Sequence, residues 1–194
     1  MALPRVPPGA AENRDEVVAL RRAVFLDRDG VINRAFVRDG KPYAPHSPQA
    51  LEVLPGVAQA LEQLRAAGLL TIVVTNQPDV GAGKLARAAV EAMHRHLRST
   101  LALDAVKVCY HTDAENCTCR KPKPGMLLDA AGEWALDLGK SYMVGDRWRD
   151  VAAAQAAGCR AFFIDYGYSE RPPEQPYVAV NSLAQAAQFI LQLD

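Results

Sequence analysis

The chain has 194 residues, 49% of them apolar, enough for one domain to fold around its own core without disulfide staples. Its 22 Lys and Arg balance its 22 Asp and Glu, which argues against a general nucleic-acid binder but leaves room for a local basic pocket around a small anion. Four cysteines in a chain of this length do not make a disulfide scaffold, no apolar run reaches the length of a membrane span, and the Pro-rich, charged start is unlike a signal peptide, so the expectation is a cytoplasmic protein with no membrane partner.

Residues 1–20, rich in Pro, Ala and charge, predict a flexible lead segment before a single domain over 21–194. AVFLD at 23–27 predicts a short buried strand ending in a carboxylate. Residues 28–55 are polar, rich in Pro and Gly and without a clear period, and read as a long loop of the kind that carries function. An amphipathic helix follows over 56–68, with Leu61 and Leu64 on its apolar face and Gly68 as its stop. A buried strand over 69–75 leads to a helix at about 85–99, then a strand over 105–111 runs into a cysteine-rich loop. The rest reads as a helix over 126–136, a strand over 141–146, a helix over 150–158 stopped by Gly158, a strand over 159–165, and a last helix over 183–193 capped by Ser182.

Strands that alternate with helices and are apolar throughout predict an α/β fold with a parallel sheet covered on both faces. Ligands of such sheets bind beyond the carboxyl ends of the strands. Asp27, Asp29, Thr75, Asn76 and Asp146 all follow predicted strands and so converge on one rim. In Asp27-Arg28-Asp29-Gly30, two carboxylates two residues apart can divide labour, one attacking phosphorus and the other acting as general acid and then base. Two anions facing a phosphate require a cation, and oxygen ligands beside a phosphate favour Mg²⁺. The plainer reading of the same tetrapeptide is a polar turn. Thr75, Asn76 and Gln77 can hydrogen-bond a phosphoryl group or simply finish a strand. Arg120 can grip a substrate oxyanion and Lys121 can neutralise phosphoryl oxygens, although an Arg-Lys pair can equally be solvated. Asp146 can complete a metal shell, while Asp150 can do the same or cap the following helix.

Cys109, His111, Cys117 and Cys119 place three thiols and an imidazole within eleven residues, a closed tetrahedral set that suits structural Zn²⁺; chance clustering or a redox pair at Cys117 and Cys119 is the competing reading. Cys159 starts a core strand as a small hydrophobe. His94 and His96 read as solvated positions on a polar helix, and His46, in the long loop, is within possible reach of a ligand.

FLDRDG, VVTNQ, RKPKPG and MVGDRWRD, in that order, resemble the four motifs of haloacid-dehalogenase-like phosphatases, and the CxH…CxC loop is similar to that of the heptose bisphosphate and histidinol-phosphate phosphatases among them. The resemblance spans residues 23 to about 165. It implies a Rossmann-like sheet without a large cap domain, the pocket being shaped instead by residues 33–48 and the zinc loop 109–119. It implies Asp27 as nucleophile, Asp29 as acid/base, Thr75 and Lys121 as phosphoryl-stabilising groups, and Asn76 and Arg120 on the substrate. Mg²⁺ would be held by Asp27, the Asp29 carbonyl and Asp146. The implied activity is hydrolysis of a small-molecule phosphate ester by a monomer, with D-glycero-D-manno-heptose 1,7-bisphosphate as leading substrate and histidinol phosphate as the alternative. After Gln77 the heptose pattern has Ser-Gly and Arg-Gly, where this chain has Pro78-Asp79 and Ala82-Gly83, so a substrate-side Arg is missing, with Lys84 nearby. A receiver-like signalling module also has an acidic pocket and a phosphorylated Asp, but needs neither Asp29 nor a zinc loop.

Overall fold

The computed structural model describes residues 20–193, so the expectation for the first nineteen residues lies outside it. Six strands form a parallel sheet in the order β5-β4-β1-β6-β7-β8: β1 (Ala23–Leu26), β4 (Leu70–Asn76), β5 (Ala105–Cys109), β6 (Tyr142–Gly145), β7 (Arg160–Ile164) and β8 (Val178–Val180). The period of two divides β1 between two cores. Val24 and Leu26 pack with α1 (Val57–Ala66), α6 (Leu183–Leu193) and Leu97 of α3 (Arg87–Thr100). Ala23 and Phe25 pack with α4 (Gly125–Trp134) and α5 (Trp148–Ala157) on the other face. Leu61 and Leu64 of α1 are fully buried, each worth about 1.5–3 kcal/mol of transfer free energy. No helix of the described residues is long and apolar enough to cross a membrane.

Several short elements and one helix start depart from the sequence expectation. The stretch 28–55 is not wholly loop: β2 (Phe36–Arg38) and β3 (Lys41–Tyr43) form an antiparallel hairpin. Its two-residue turn is Asp39-Gly40, both at positive φ (50° and 71°), which Asp-Gly pairs supply readily. A short helix α2 (Pro78–Gly81) follows the second long strand, and β8, three residues on the sheet edge, is too short to show a period. The helix expected from residue 150 begins two residues earlier, at Trp148.

β1 lies between β4 and β6, so the chain leaves it first toward one sheet edge and later returns to build toward the other. That reversal opens a crevice at the carboxyl ends of β1 and β6, where Asp27 and Asp146 follow.

Candidate active site

Asp27, the residue after β1, is 7% exposed. Its Oδ1 accepts hydrogen bonds from the Arg28 backbone N–H (2.8 Å) and from Lys121 Nζ (2.9 Å). Lys121, 1% exposed, also reaches Asp150 Oδ1 at 2.6 Å and donates to the Val74 carbonyl at 2.7 Å. Asp150 accepts from the Arg147 N–H through its other oxygen (3.0 Å), as the third residue of α5. It therefore braces the helix start and stands in the site at once. Oxygens of Asp27, Asp146 and Asp150 all lie within 4.8 Å of one another. Asp146 takes the Tyr168 hydroxyl on Oδ2 (2.9 Å), while its Oδ1 is buried without a partner.

Two glycines make this crowding possible. A Cβ on Gly30, at φ +90°, would sit 1.9 Å from Asp146 Oδ2, and one on Gly145 would sit 2.1 Å from the Asp150 Cβ. Burial, with Asp150 and Asp29 adding to it and Lys121 opposing, pushes the Asp27 carboxyl up to about 6. Burial, then Asp27 and Asp150, push Asp146 well above the usual carboxylate range. Burial would lower the Lys121 ammonium, but Asp150 and Asp27 more than offset it and hold it charged. Three crowded carboxylates against one lysine, with an unpartnered buried oxygen among them, fit a hard divalent cation.

Asp29 is held by four donors. Arg28 Nε and NH2 fork onto its two oxygens (3.1 and 3.0 Å), Asn33 Nδ2 reaches Oδ1 (2.9 Å) and Gln77 Nε2 reaches Oδ2 (2.9 Å). Arg28 itself has no solvent exposure, and its NH1 donates to His94 Nε2 at 3.0 Å. The expectation that His94 is solvated is thus corrected: it is 4% exposed, and burial together with the Arg28 charge pushes its imidazole down to about 4. The polar composition of α3 hid it, because its neighbours Arg95 and His96 are exposed as expected.

Above this floor lies a cavity of ≈ 280 Å³ lined by Asp27, Asp29, Asn76, Lys121, Arg120 and Arg149, with Pro42 and Tyr43 of the hairpin at one side. Thr75 is buried, its hydroxyl accepting from Gln77 Nε2 at 2.9 Å. Asn76 donates to the Lys121 carbonyl (3.0 Å) and accepts the Lys121 N–H (3.1 Å), so its amide fixes the lysine's main chain. Arg120 pairs with Asp113 at 2.8 Å and keeps NH1 buried and unpartnered, and Arg149 reaches the same Asp113 at 3.3 Å. His46 is exposed in a separate hollow beside Phe36 and Arg38, and Lys84 is exposed outside the cavity lining. Sequence reasoning missed Tyr168 and Arg149: one lies in a period-free stretch after β7, and the other, although inside MVGDRWRD, reads as an ordinary surface charge.

Cys109, His111, Cys117 and Cys119 offer ligand atoms within 4.8 Å of one another, and all are free of disulfides. The Sγ separations are 3.6 Å from Cys109 to Cys117, 3.5 Å from Cys117 to Cys119 and 3.0 Å from Cys109 to Cys119. His111 Nδ1 lies 3.3 Å from Cys119 Sγ. Tetrahedral bonds of about 2.3 Å separate sulfur ligands by about 3.8 Å, so the cluster is of a size to hold a metal ion. Burial alone would raise the Cys117 thiol, but the Arg120 N–H, its two thiol neighbours and His111 bring it down to about 7, while burial pushes the Cys109 and Cys119 thiols up. Burial pushes the Cys159 thiol up to about 12, the inert core residue expected.

The chain matches the haloacid dehalogenase-like hydrolase family over residues 34–158. It is 40% identical over 157 residues to a D-glycero-beta-D-manno-heptose-1,7-bisphosphate 7-phosphatase of Rhodopseudomonas palustris, covering 73% of this chain and 82% of that protein. It is 44% identical over 152 residues to a D-glycero-alpha-D-manno-heptose-1,7-bisphosphate 7-phosphatase of Mycobacterium tuberculosis, covering 73% and 78%. Its fold superposes, with a TM-score of 0.77 and 32% identity, on the crystal structure of D,D-heptose 1,7-bisphosphate phosphatase from B. bronchiseptica complexed with magnesium and phosphate, over 89% of this chain and 99% of that one.

Proposed function

Because the chain belongs to the haloacid dehalogenase-like hydrolases, we propose that it hydrolyses a sugar bisphosphate, D-glycero-D-manno-heptose 1,7-bisphosphate, at the 7-phosphate through an aspartyl-phosphate intermediate on Asp27. The observation that carries the chemistry is the meeting of Asp27, Asp146 and Asp150, two of which, Asp27 and Asp150, pair with Lys121, with Asp29 lining the cavity above. Asp27 keeps one oxygen under Lys121 and the Arg28 N–H, and no donor among the described residues reaches its Oδ2. A lone pair there is free to attack phosphorus in line with the departing ester oxygen. Lys121, fixed by Val74, Asp150 and the Asn76 amide, is a preorganised charge at the phosphoryl oxygens and costs no reorganisation when they gain charge. Thr75 adds a hydroxyl from the end of β4. Asp29 protonates the leaving alcohol and then draws the proton from the water that hydrolyses the aspartyl phosphate, after turning away from some of its four donors.

Mg²⁺ would be held by Asp27, the Asp29 carbonyl and Asp146, and when bound it supplies the positive charge that lets a phosphate enter so acidic a site. Zn²⁺ would be held by Cys109, His111, Cys117 and Cys119 as a structural ion. Such an ion would fix the loop from which Asp113 and Arg120 reach the cavity. Arg120 and Arg149, gathered on Asp113, stand where a second anionic group of the substrate can replace the aspartate. The reaction needs no second subunit, and the protein acts as a cytoplasmic monomer. The similar proteins include enzymes named for each anomer, so phosphate release from both anomers and from histidinol phosphate, with Mg²⁺ and with Asp27→Asn as blank, is the direct test. Turnover of one heptose anomer supports the reading. Turnover of histidinol phosphate alone refutes the substrate, and turnover by Asp27→Asn refutes the nucleophile.

A further inference from the structure

The segment after β7 contributes nothing to the family motifs, yet it touches the site from several directions. Tyr166 Oη donates to the Gly30 carbonyl at 2.9 Å, and the Ser169 N–H donates to the Gly40 carbonyl in the hairpin turn at 2.7 Å. Glu170 pairs with Arg147, and the Arg171 guanidinium lies 3.6 Å from the centre of the Trp148 ring. Between these anchors Tyr168, its ring 5.6 Å from that of Tyr166, aims its hydroxyl at Asp146 Oδ2. The tyrosine is therefore held on both sides of the chain before it makes its one bond to the carboxylate.

That bond decides what Asp146 can offer. With Oδ2 occupied by the phenol, only Oδ1 is left, and it is the buried oxygen without a partner. The other acids are restricted in the same way: Asp27 Oδ1 accepts from Lys121 and Arg28, and Asp150 has Lys121 on one oxygen and the Arg147 N–H on the other. No carboxylate in the cluster has both oxygens open. Mg²⁺ takes single oxygens in a tight octahedron and retains waters, whereas Ca²⁺ seeks six to eight oxygens and readily uses both oxygens of one carboxylate.

We propose that Tyr168 is a positioning residue that makes Asp146 a one-oxygen ligand, and thereby sets the preference of the site for Mg²⁺ over Ca²⁺. This rests on the reading that Asp146 is a ligand of the catalytic cation. Removing the hydroxyl frees the carboxylate to rotate, which loosens the small ion. It also opens a second oxygen, which the larger ion can use. Outer contacts of this kind are worth 10–100-fold in metal affinity.

The test is direct binding of each cation, by displacement of Mn²⁺ followed by electron paramagnetic resonance, for the parent, Tyr168→Phe and Asp146→Asn. Tyr168→Phe keeps the ring beside Tyr166, and a melting curve shows that it is folded. The expected result is that Tyr168→Phe binds Mg²⁺ about 10–100-fold more weakly while Ca²⁺ binding falls far less, so that the ratio of the two constants drops about tenfold or more. Equal weakening of both ions means that Tyr168 only supports the loop, and unchanged binding means that it does not act on the metal; either overturns the proposal. Parent-like binding of both ions by Asp146→Asn would instead remove the ligand reading beneath it.

Discussion

His94 offers a stability test that owes nothing to catalysis. Its imidazole is 4% exposed, accepts from a buried Arg28 guanidinium, and is held down to about 4 from an ordinary value near 6.5. A group whose folded pKa is depressed leaves the unfolded chain binding more protons between the two values, so stability is present above pH 6.5 and is lost as pH falls toward 4. That depression corresponds to about 3 kcal/mol, most of it gone by about pH 4.5. His94→Gln can still offer an oxygen to Arg28 but cannot take up a proton. Urea unfolding of both proteins from neutral pH down to about pH 4.5 isolates the His94 contribution, because every other titrating group is shared. The difference between parent and variant should move by about 2–3 kcal/mol in the variant's favour on acidification. Parallel pH curves would show that His94 is protonated or solvated in the folded chain, and the Arg28 contact would then be wrong.

Three further outcomes follow from the site's geometry. Gly30→Ala forces a methyl into Asp146 Oδ2 at a positive φ; it should cost about 1–3 kcal/mol in thermal unfolding and eliminate turnover together, and a stable, active variant would contradict the packing. Lys121→Met leaves Asp27 and Asp150 buried without their cation, so denaturation should show a loss of about 3–5 kcal/mol at neutral pH, accompanied by loss of activity. Cys119→Ser should bind less than one zinc per chain by elemental analysis and raise KM for a bisphosphate more than for a simple monoester, since the loop carries Arg120 and Asp113; a variant with full zinc would remove Cys119 from the ligand set.

The sheet and the acidic rim were legible because their signals are local. AVFLD, LLTIVVT and SYMVGD each end an apolar run in a polar residue, and a parallel sheet gathers such ends on one edge. The cysteine cluster was legible because its ligands are close in sequence. The short elements were not: β2, β3 and β8 have three residues each, too few for a period, although Asp39-Gly40 was a usable turn signal. The long-range partnerships were also hidden. Tyr168 meets Asp146 across 22 positions, His94 meets Arg28 across 66, and Asn76 spends its amide on Lys121 rather than leaving it free, which nothing in VVTNQ announces. Asp150 was ambiguous in sequence because it braces the start of α5 and also pairs with Lys121, a partner that lies far away along the chain.

Asp27 carries the phosphoryl group as an acyl phosphate, and that intermediate can be caught chemically. Rapid quenching of a single turnover into borohydride reduces an acyl phosphate, so the aspartate that carried it becomes homoserine, which peptide mass spectrometry locates. Homoserine is expected at position 27, and only when the phosphate ester and Mg²⁺ are both present. Homoserine at Asp29 or Asp146, or rapid phosphate release with none at any aspartate, would contradict it.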